Sequence, residues 1–267
     1  MRAEVADVVV GVRRLGAHPT LAVLGRHLVL YRRLWRTSVF SSVVLPMLFV
    51  VSIGMGVGGY VGDIGGVDYL SWIVPGVLAS TALQISVGES TYPVLGDFKW
   101  VRSYHSMAAT PVRVPDMVRG LLLYLLIRVE LAAVVFLAVT AAFGALHSAW
   151  APATLLVCGL VMVSVAAPTA AFSASIEHEN HFALLFRFLV IPSTLFAGVF
   201  FPVSQLPALV RPLAYASPLW HGVELSRAAT LGVATQWPLM AHVAYLVVWA
   251  VVGWLLAVRA FGRRLQD

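Results

Sequence analysis

The stretch Pro238–Arg264 reads PLMAHVAYLVVWAVVGWLLAVRAFGRR. From Pro238 to Val258 it holds no Asp, Glu, Lys or Arg, and then Arg259, Arg263 and Arg264 close it. About 20 mainly apolar residues in a helix cross a hydrocarbon core of roughly 30 Å. The stretch is therefore predicted to span a membrane, with its basic end in the cytoplasm, where Lys and Arg accumulate beside spans. The whole chain has the same character: 267 residues, 60% hydrophobic, 11% charged, mean hydropathy +0.88. Soluble domains carry about 25% charged residues, and a soluble fold of this length has no place to hide so much apolar surface.

Working outward, five more runs read as spans: Ser38–Tyr60, Tyr69–Gly88, Met117–Gly144, Ala151–Ile176, and Phe188 to about Phe201. Between the second and third, Tyr92–Asp116 holds Asp97, Lys99, Arg102, His105 and Arg113 and is too charged to cross. Between the fifth and sixth, Pro202, Pro207, Pro212 and Pro218 cut an apolar stretch into pieces too short to cross. Such pieces suggest half-helices that dip in and return, which a bilayer tolerates only under protein cover.

The basic residues set orientation. They crowd the N-terminal segment (Arg2, Arg13, Arg14, Arg26, Arg32, Arg33, Arg36), the second-to-third connection and the C-terminal end. The loops at Asp63–Asp68 and Gly144–Pro152 have neither Lys nor Arg. Six spans with both ends in the cytoplasm satisfy this pattern, leaving only Arg211 and Arg227 outside it. The net charge of +6 is thereby read as topological, and no nucleic-acid partner is expected. Residues 1–36 are too interrupted by Arg for a signal peptide. Within them Leu21, Leu24, Leu28, Tyr31 and Trp35 recur at helical spacing. A basic amphipathic helix there is expected in the headgroup layer; a solvated linker is the alternative. The organisation is thus a cytoplasmic segment (1–36), a membrane domain (37–258) and a short tail (259–267).

Chemical motifs are sparse. No GxxxxGK[ST] phosphate loop, GxSxG elbow or HExxH helix occurs, so neither ATP hydrolysis nor hydrolase chemistry is expected of this chain alone. One cysteine, Cys158, excludes an intrachain disulfide or cysteine cluster. His178 and His181 offer two imidazoles, but a solvated turn explains them as well; no catalytic residue, metal site or cofactor is assigned. Ionisable groups within spans are costly and face the protein interior. Glu89, Arg128 and Glu130 form such a set, readable as a coupling network or as a structural lock, and Glu89 is expected to meet Arg128. Glu224 and Arg227, spaced i, i+3, are expected to pair.

The blocks Phe201-Pro202-Val203-Ser204-Gln205-Leu206-Pro207, Arg211-Pro212-Leu213, Ser217-Pro218-Leu219 and Glu224-Leu225-Ser226-Arg227 resemble the signature of ABC-2 type exporter permeases, in particular the NodJ and daunorubicin-exporter branch. Gly88-Glu89-Ser90-Thr91-Tyr92 and Ala108-Ala109-Thr110-Pro111 extend the likeness. The resemblance implies an all-α polytopic membrane fold of the type-V ABC exporter kind. Its parts would be six transmembrane helices, an N-terminal amphipathic interfacial helix, a cytoplasmic coupling helix and an outer re-entrant half-helix pair. It implies a coupling helix at about 97–109, with Phe98, Trp100, Arg102, Tyr104 and His105 as contacts to an ATPase. It implies outer half-helices at about 203–232, marked by Phe201, Pro202, Pro207, Pro218, Glu224 and Arg227. It also implies partners: two copies of an ABC ATPase that binds ATP and Mg, and a second permease subunit, as a homodimer in the plasma (inner) membrane. Gln84, Phe196 and Phe200 are candidates for the path of an amphiphilic substrate such as a lipooligosaccharide, a lipid-linked glycan or a hydrophobic drug. An ion-coupled secondary transporter and a membrane-embedded lipid-modifying enzyme are the competing readings.

Overall fold

A computed structural model describes residues 18–40, 44, 46–48, 50–52, 56, 60, 62–64 and 66–266, with the side chains of 34–39 outside the description. The expected first span, Ser38–Tyr60, the side chains of Trp35 and Arg36, and the basic residues Arg2, Arg13 and Arg14 lie wholly or largely outside the described residues. Among the described residues the fold is helical: α1 (Pro19–Val39), α2 (Tyr69–Ser90), α3 (Tyr92–Lys99), α4 (Ser103–Ala108), α5 (Val114–Ala142), α6 (Thr154–Ser175), α7 (Asn180–Leu185), α8 (Ile191–Phe196), α9 (Arg211–Tyr215), α10 (Pro218–Leu231) and α11 (Leu239–Arg264).

Among the described residues four helical stretches have the length and apolarity to cross a membrane: Tyr69–Lys99, Val114–Ala142, Ala151–Ser175 and Leu239–Arg264. They differ in what surrounds them. The apolar part of Tyr69–Lys99 is 83% buried, that of Leu239–Arg264 only 22%. So α2 is the enclosed centre of the bundle and α11 its lipid-facing edge, where Val247, Val248, Val251, Val252, Leu255 and Leu256 stand exposed. An apolar outer face has no cost when lipid is the solvent.

Small residues bring the helices together, as membrane packing favours. α6 lies between α2 and α11 with Ala166, Ala167, Ala170 and Ala174 buried. At Gly253 of α11 an added Cβ would stand 2.4 Å from Pro168 Cδ and 2.9 Å from Pro168 N. Only a glycine lets the α11 backbone cross α6 over the proline that breaks its hydrogen-bond ladder. At Gly222 of α10 an added Cβ would meet Val161 Cγ2 at 2.3 Å, so α10 seats deep in the bundle.

Four boundaries differ from expectation. α2 stops at Ser90, and the chain turns at Thr91 into α3; Ser173 Oγ donates to the freed Ser90 carbonyl at 2.6 Å. The coupling helix expected over 97–109 is two helices, α3 and α4, because Arg102 adopts φ 56°, the one positive φ of a non-glycine among the described residues. The apolar helix expected to reach Phe201 ends at Phe196, since Gly198 turns left-handed at φ 78°. Asn180–Phe196 is therefore about 25 Å long, and Phe186–Val190 within it is a π-helical turn. Finally, α11 continues past Val258 to Arg264 because Phe261 is buried against Phe98 and Tyr104, ring centroids 4.9 and 5.0 Å away.

Of the expected half-helices, the first is a 3-10 turn (Val203–Gln205) and the short α9; the second is α10, a full 14-residue helix. Ser217 Oγ caps α10 by accepting from Leu219 N at 3.3 Å, and Gly232 ends it at φ 72°, as an N-cap serine before proline and a glycine at the C-terminus favour.

Gly253→Val is expected to lower stability by roughly 1–3 kcal/mol through overpacking, read as a fall in melting temperature in detergent. Gly262→Ala, where an added Cβ meets nothing within 4 Å, leaves the melting temperature in place.

Candidate functional site: the basic-end knuckle and its charge network

α3 and α4 form a knuckle at the basic end of the bundle. Phe98 and Tyr104 are 2% and 0% exposed, with ring centroids 4.6 Å apart, and Phe261 of α11 completes the cluster. These two expected contact residues thus shape the knuckle from inside. Burial pushes the Tyr104 hydroxyl well above the usual phenol range. His105 is half-buried, edge-on to Phe98 at 6.1 Å. Trp100, Val101 and Arg102 are exposed at the tip.

Two polar ties hold the knuckle. Arg26 of α1 donates to both Asp97 oxygens, at 2.9 and 2.6 Å, the bidentate geometry that suits a guanidinium and a carboxylate. Lys99 Nζ donates to Glu177 O at 3.2 Å and to Glu179 Oε2 at 3.4 Å, bridging to the loop after α6. A backbone amide and Lys99 hold the Glu179 carboxyl below its usual range. His181 Nδ1 lies 3.0 Å from His178 O, and among the described residues no group of three His, Cys, Asp or Glu is arranged to hold a metal.

Beside the knuckle, Glu89 at the C-terminal end of α2 and Arg128 midway along α5 form an ion pair. Tyr124 bridges them, donating to Glu89 Oε2 at 3.2 Å and accepting from Arg128 Nη1 at 3.4 Å. Helical spacing placed Tyr124 and Arg128 on one face of α5, a signal that sequence reading passed over. Glu130 stands apart from this network. Its Oε1 faces Gly159 of α6, where an added Cβ would lie 2.9 Å away.

α1 docks on this region by an unexpected face. Thr20, Val23 and His27 are buried, while Leu24, Leu28 and Tyr31 are only partly so. Thr20 Oγ1 donates to Asp116 Oδ1 at 2.8 Å, and Gly120 of α5 leaves room for Val23. His27 stacks on Tyr124 at 5.2 Å. Burial, with Arg26 adding and Asp97 opposing, lowers the His27 pKa to about 4, so the ring is neutral at pH 7.

At the opposite end, Arg227 is buried. Its Nη2 donates to the Gly198 carbonyl and to Val199 O at 3.3 Å, and its guanidinium lies 3.8 Å from the Trp72 ring centroid. The expected partner Glu224 is a longer contact of 3.8 Å. Phe201, Pro202 and Pro218 are half-buried and Pro207 is exposed. A cage that sequence reading missed joins α10 to α11. In it His221 Nδ1 meets His242 Nδ1 at 2.9 Å, and Tyr245 stacks on His221 at 3.9 Å. Gln84 and Phe196 line two adjoining cavities, of about 380 and 330 Å³, that share Val87 and Val190; Phe200 is half-buried beside them in sequence, its carbonyl accepting from Tyr69 at 3.4 Å.

Residues 19–231 match the family model described as ABC-2 type transporter. The chain is similar to Nodulation protein J of Rhizobium leguminosarum bv. trifolii, 27% identical over 251 residues, covering 92% of this chain and 93% of that protein. It is also similar to Nodulation protein J of Rhizobium meliloti (strain 1021), 27% identical over 255 residues with 92% and 94% covered. To the inner membrane transport permease YadH of Escherichia coli (strain K12) it is 23% identical over 228 residues, with 85% and 88% covered.

Arg128→Met is expected to destabilise by about 3–5 kcal/mol, because it strands the Glu89 carboxylate, whereas the double change with Glu89→Met recovers most of that loss; thermal unfolding of the four-membered cycle reads this directly. A second outcome concerns pH. His27 binds protons more weakly when folded, so its contribution is complete above about pH 6.5 and is lost as pH falls toward about 4. Protease cleavage within α1 rises over that window, and His27→Phe, which keeps the stack on Tyr124, flattens the rise.

Proposed function

The chain belongs to the ABC-2 type transporter family and so is the membrane subunit of an ABC transporter, and from that premise we propose that it works as one half of an exporter. In this reading two copies form the membrane pathway, with six spans each and both termini in the cytoplasm. ATP is hydrolysed by a partner ATPase, as members of this family work with one. The cargo is an amphiphile, such as a lipooligosaccharide, a lipid-linked glycan or a hydrophobic drug, carried outward across the plasma membrane.

One observation carries the coupling part of this proposal. The exposed tip Trp100–Arg102 stands on a rigid aromatic core that includes the end of the last span, through Phe261. A subunit without a nucleotide site receives work only by contact. A displacement of this tip loads α11 through Phe261, α1 through Arg26–Asp97, and the loop after α6 through Lys99–Glu179. Nucleotide in the partner biases one arrangement of the ATPase pair, and a rigid knuckle passes that bias to the helices as a population shift. The left-handed Arg102 suits a contact point: such backbone is costly for a non-glycine residue and persists where its surroundings impose it.

The apolar character of the interior supports an amphiphilic cargo. Gln84 is exposed on the mostly enclosed α2 and, with Thr194, is a polar residue of an otherwise apolar groove of about 380 Å³.

In a reconstituted complex with its ATPase, Trp100→Ala combined with Arg102→Glu is expected to reduce cargo-stimulated ATP hydrolysis at least tenfold while the permease keeps its melting temperature. Unchanged stimulation refutes the coupling role. Cysteine labelling at Gln205 from outside but not inside, and the reverse at Arg102, tests the orientation.

A further inference from the structure

α10 and α11 meet at the pair His221 and His242. Both rings are 0% exposed, as is Trp220 beside them. The hydrogen-bond network fixes their tautomers. His221 Nε2 lies 3.0 Å from the Tyr215 carbonyl, which only accepts. The proton of His221 is therefore on Nε2, and its Nδ1 is a bare acceptor. The 2.9 Å contact between the two Nδ1 atoms then requires the proton of His242 on Nδ1. His242 Nε2 is left as an unprotonated lone pair, buried and without a hydrogen-bond partner among the described residues.

The pair ties down one wall of a cavity. Ala214, Ala216, Ser217 and Pro218, where α9 turns into α10, line the apolar cavity of about 330 Å³ together with Trp249 of α11. The turn is held by His221 Nε2 donating to Tyr215 O, by Tyr245 Oη donating to Ala216 O at 2.6 Å, and by Gln236 Nε2 donating to Tyr215 Oη at 3.1 Å. Tyr245 of α11 also stacks on His221, so the seat of the imidazole pair and the seat of the turn are one structure.

Acid has no place in this arrangement. A first proton leaves the pair intact only at His242 Nε2, where the new N–H finds no acceptor. A second, at His221 Nδ1, sets two N–H groups against each other at 2.9 Å. The rings that face the pair, Tyr245, Trp220 and Trp237, carry no charge. The one carboxylate that acts on it is Glu224, already engaged by Gln236 N at 2.8 Å and by Arg227 at 3.8 Å. A buried charge is costly unless paired, and water relieves that cost only when the cage opens. Burial, against the Tyr215 carbonyl and with His242 adding, lowers the His221 pKa to about 4.

We propose that His221 and His242 are a proton-operated latch: the neutral pair holds the α9–α10 turn over the end of the apolar cavity, and the protonated pair releases α10 from α11 and opens that end. In the topology proposed above this end faces outward, so acidity outside the cell governs the outlet. That orientation alone rests on the exporter reading.

The test uses the full chain in phosphatidylcholine nanodiscs without ATPase, with bimane on Leu213→Cys. Leu213 and Trp249 line the same cavity, so Trp249 quenches the label while the turn is seated; Cys158 is buried and stays unlabelled. The closed pair binds protons more weakly than the open one, so closure is complete above about pH 6.5 and is lost toward about 4. Emission is expected to rise reversibly over that window. Tyr245→Phe, which removes one bond to the turn, moves the midpoint up by about one pH unit. The double change His221→Gln with His242→Asn, which keeps hydrogen-bonding side chains and leaves no basic nitrogen, abolishes the rise, whereas His27→Phe retains it. Should the double variant fail to fold, histidine ¹⁵N spectra of the unaltered chain decide: the latch requires His221 protonated on Nε2 and His242 on Nδ1 at neutral pH. No rise in the unaltered chain, a rise that survives the double change, or His242 protonated on Nε2 at neutral pH overturns the proposal. An acid response in a chain whose residue 213 is labelled in cells only from the cytoplasmic side removes the proposed orientation and leaves the latch standing.

Discussion

A bilayer supplies no water to a backbone that leaves the helix, so every break in a ladder must be answered by the protein itself. Two such breaks organise this molecule. At Ser90 the answer is a hydroxyl, Ser173 of α6. At Gly198 and Val199 it is a guanidinium, Arg227 of α10. Each donor comes from an element packed across the bundle. The break and the packing therefore depend on one another: without α6 the turn at Thr91 would strand a carbonyl, and without α10 the left-handed Gly198 would do the same. Burial pulls the Arg227 pKa down to about 10, which leaves it charged at neutral pH, and the Trp72 ring covers it where Glu224 only partly compensates.

The half of the bundle that carries the knuckle follows a different logic. There charges meet in pairs, Arg26–Asp97, Lys99–Glu179 and Arg128–Glu89, and each pair joins elements distant in sequence. Exposed pairs such as Lys99–Glu179 contribute little stability. Their value is positional, because Arg26–Asp97 and Lys99–Glu179 fix the knuckle against α1 and the loop after α6 while its tip stays open. Rings pack its inside and ion pairs tie its outside.

Much of this was legible in the sequence, for identifiable reasons. Hydropathy and arginine placement marked the four long apolar helices, since a span announces itself by length. The Glu89–Arg128 pair was legible because a charge within a span has few partners to choose from. Arg227 was legible in part: its pairing with Glu224 is present at 3.8 Å, but its hydrogen-bond acceptors are main-chain carbonyls, which leave no mark in residue identity and exist only because the chain breaks at Gly198. The aromatic residues of the connection stood out, but their inward orientation depends on Phe261, which lies at the far end of the sequence. The leucine stripe of α1 suggested a lipid face; the protein face, built on Thr20, Val23 and His27, was hidden because the notch that receives it is a missing side chain, that of Gly120.

The seating of Phe261 between Phe98 and Tyr104 also bears on biosynthesis. At about 5–20 residues per second, the ribosome delivers Phe261 roughly 10–30 s after Tyr104. Until then the knuckle lacks a third of its aromatic core, and its exposed tip has no settled foundation. Completion of the knuckle is thus deferred until the last span has been made and threaded home. A chain cut short before Phe261 would carry the tip residues and still present them badly, so the knuckle reports on the completeness of the polypeptide behind it.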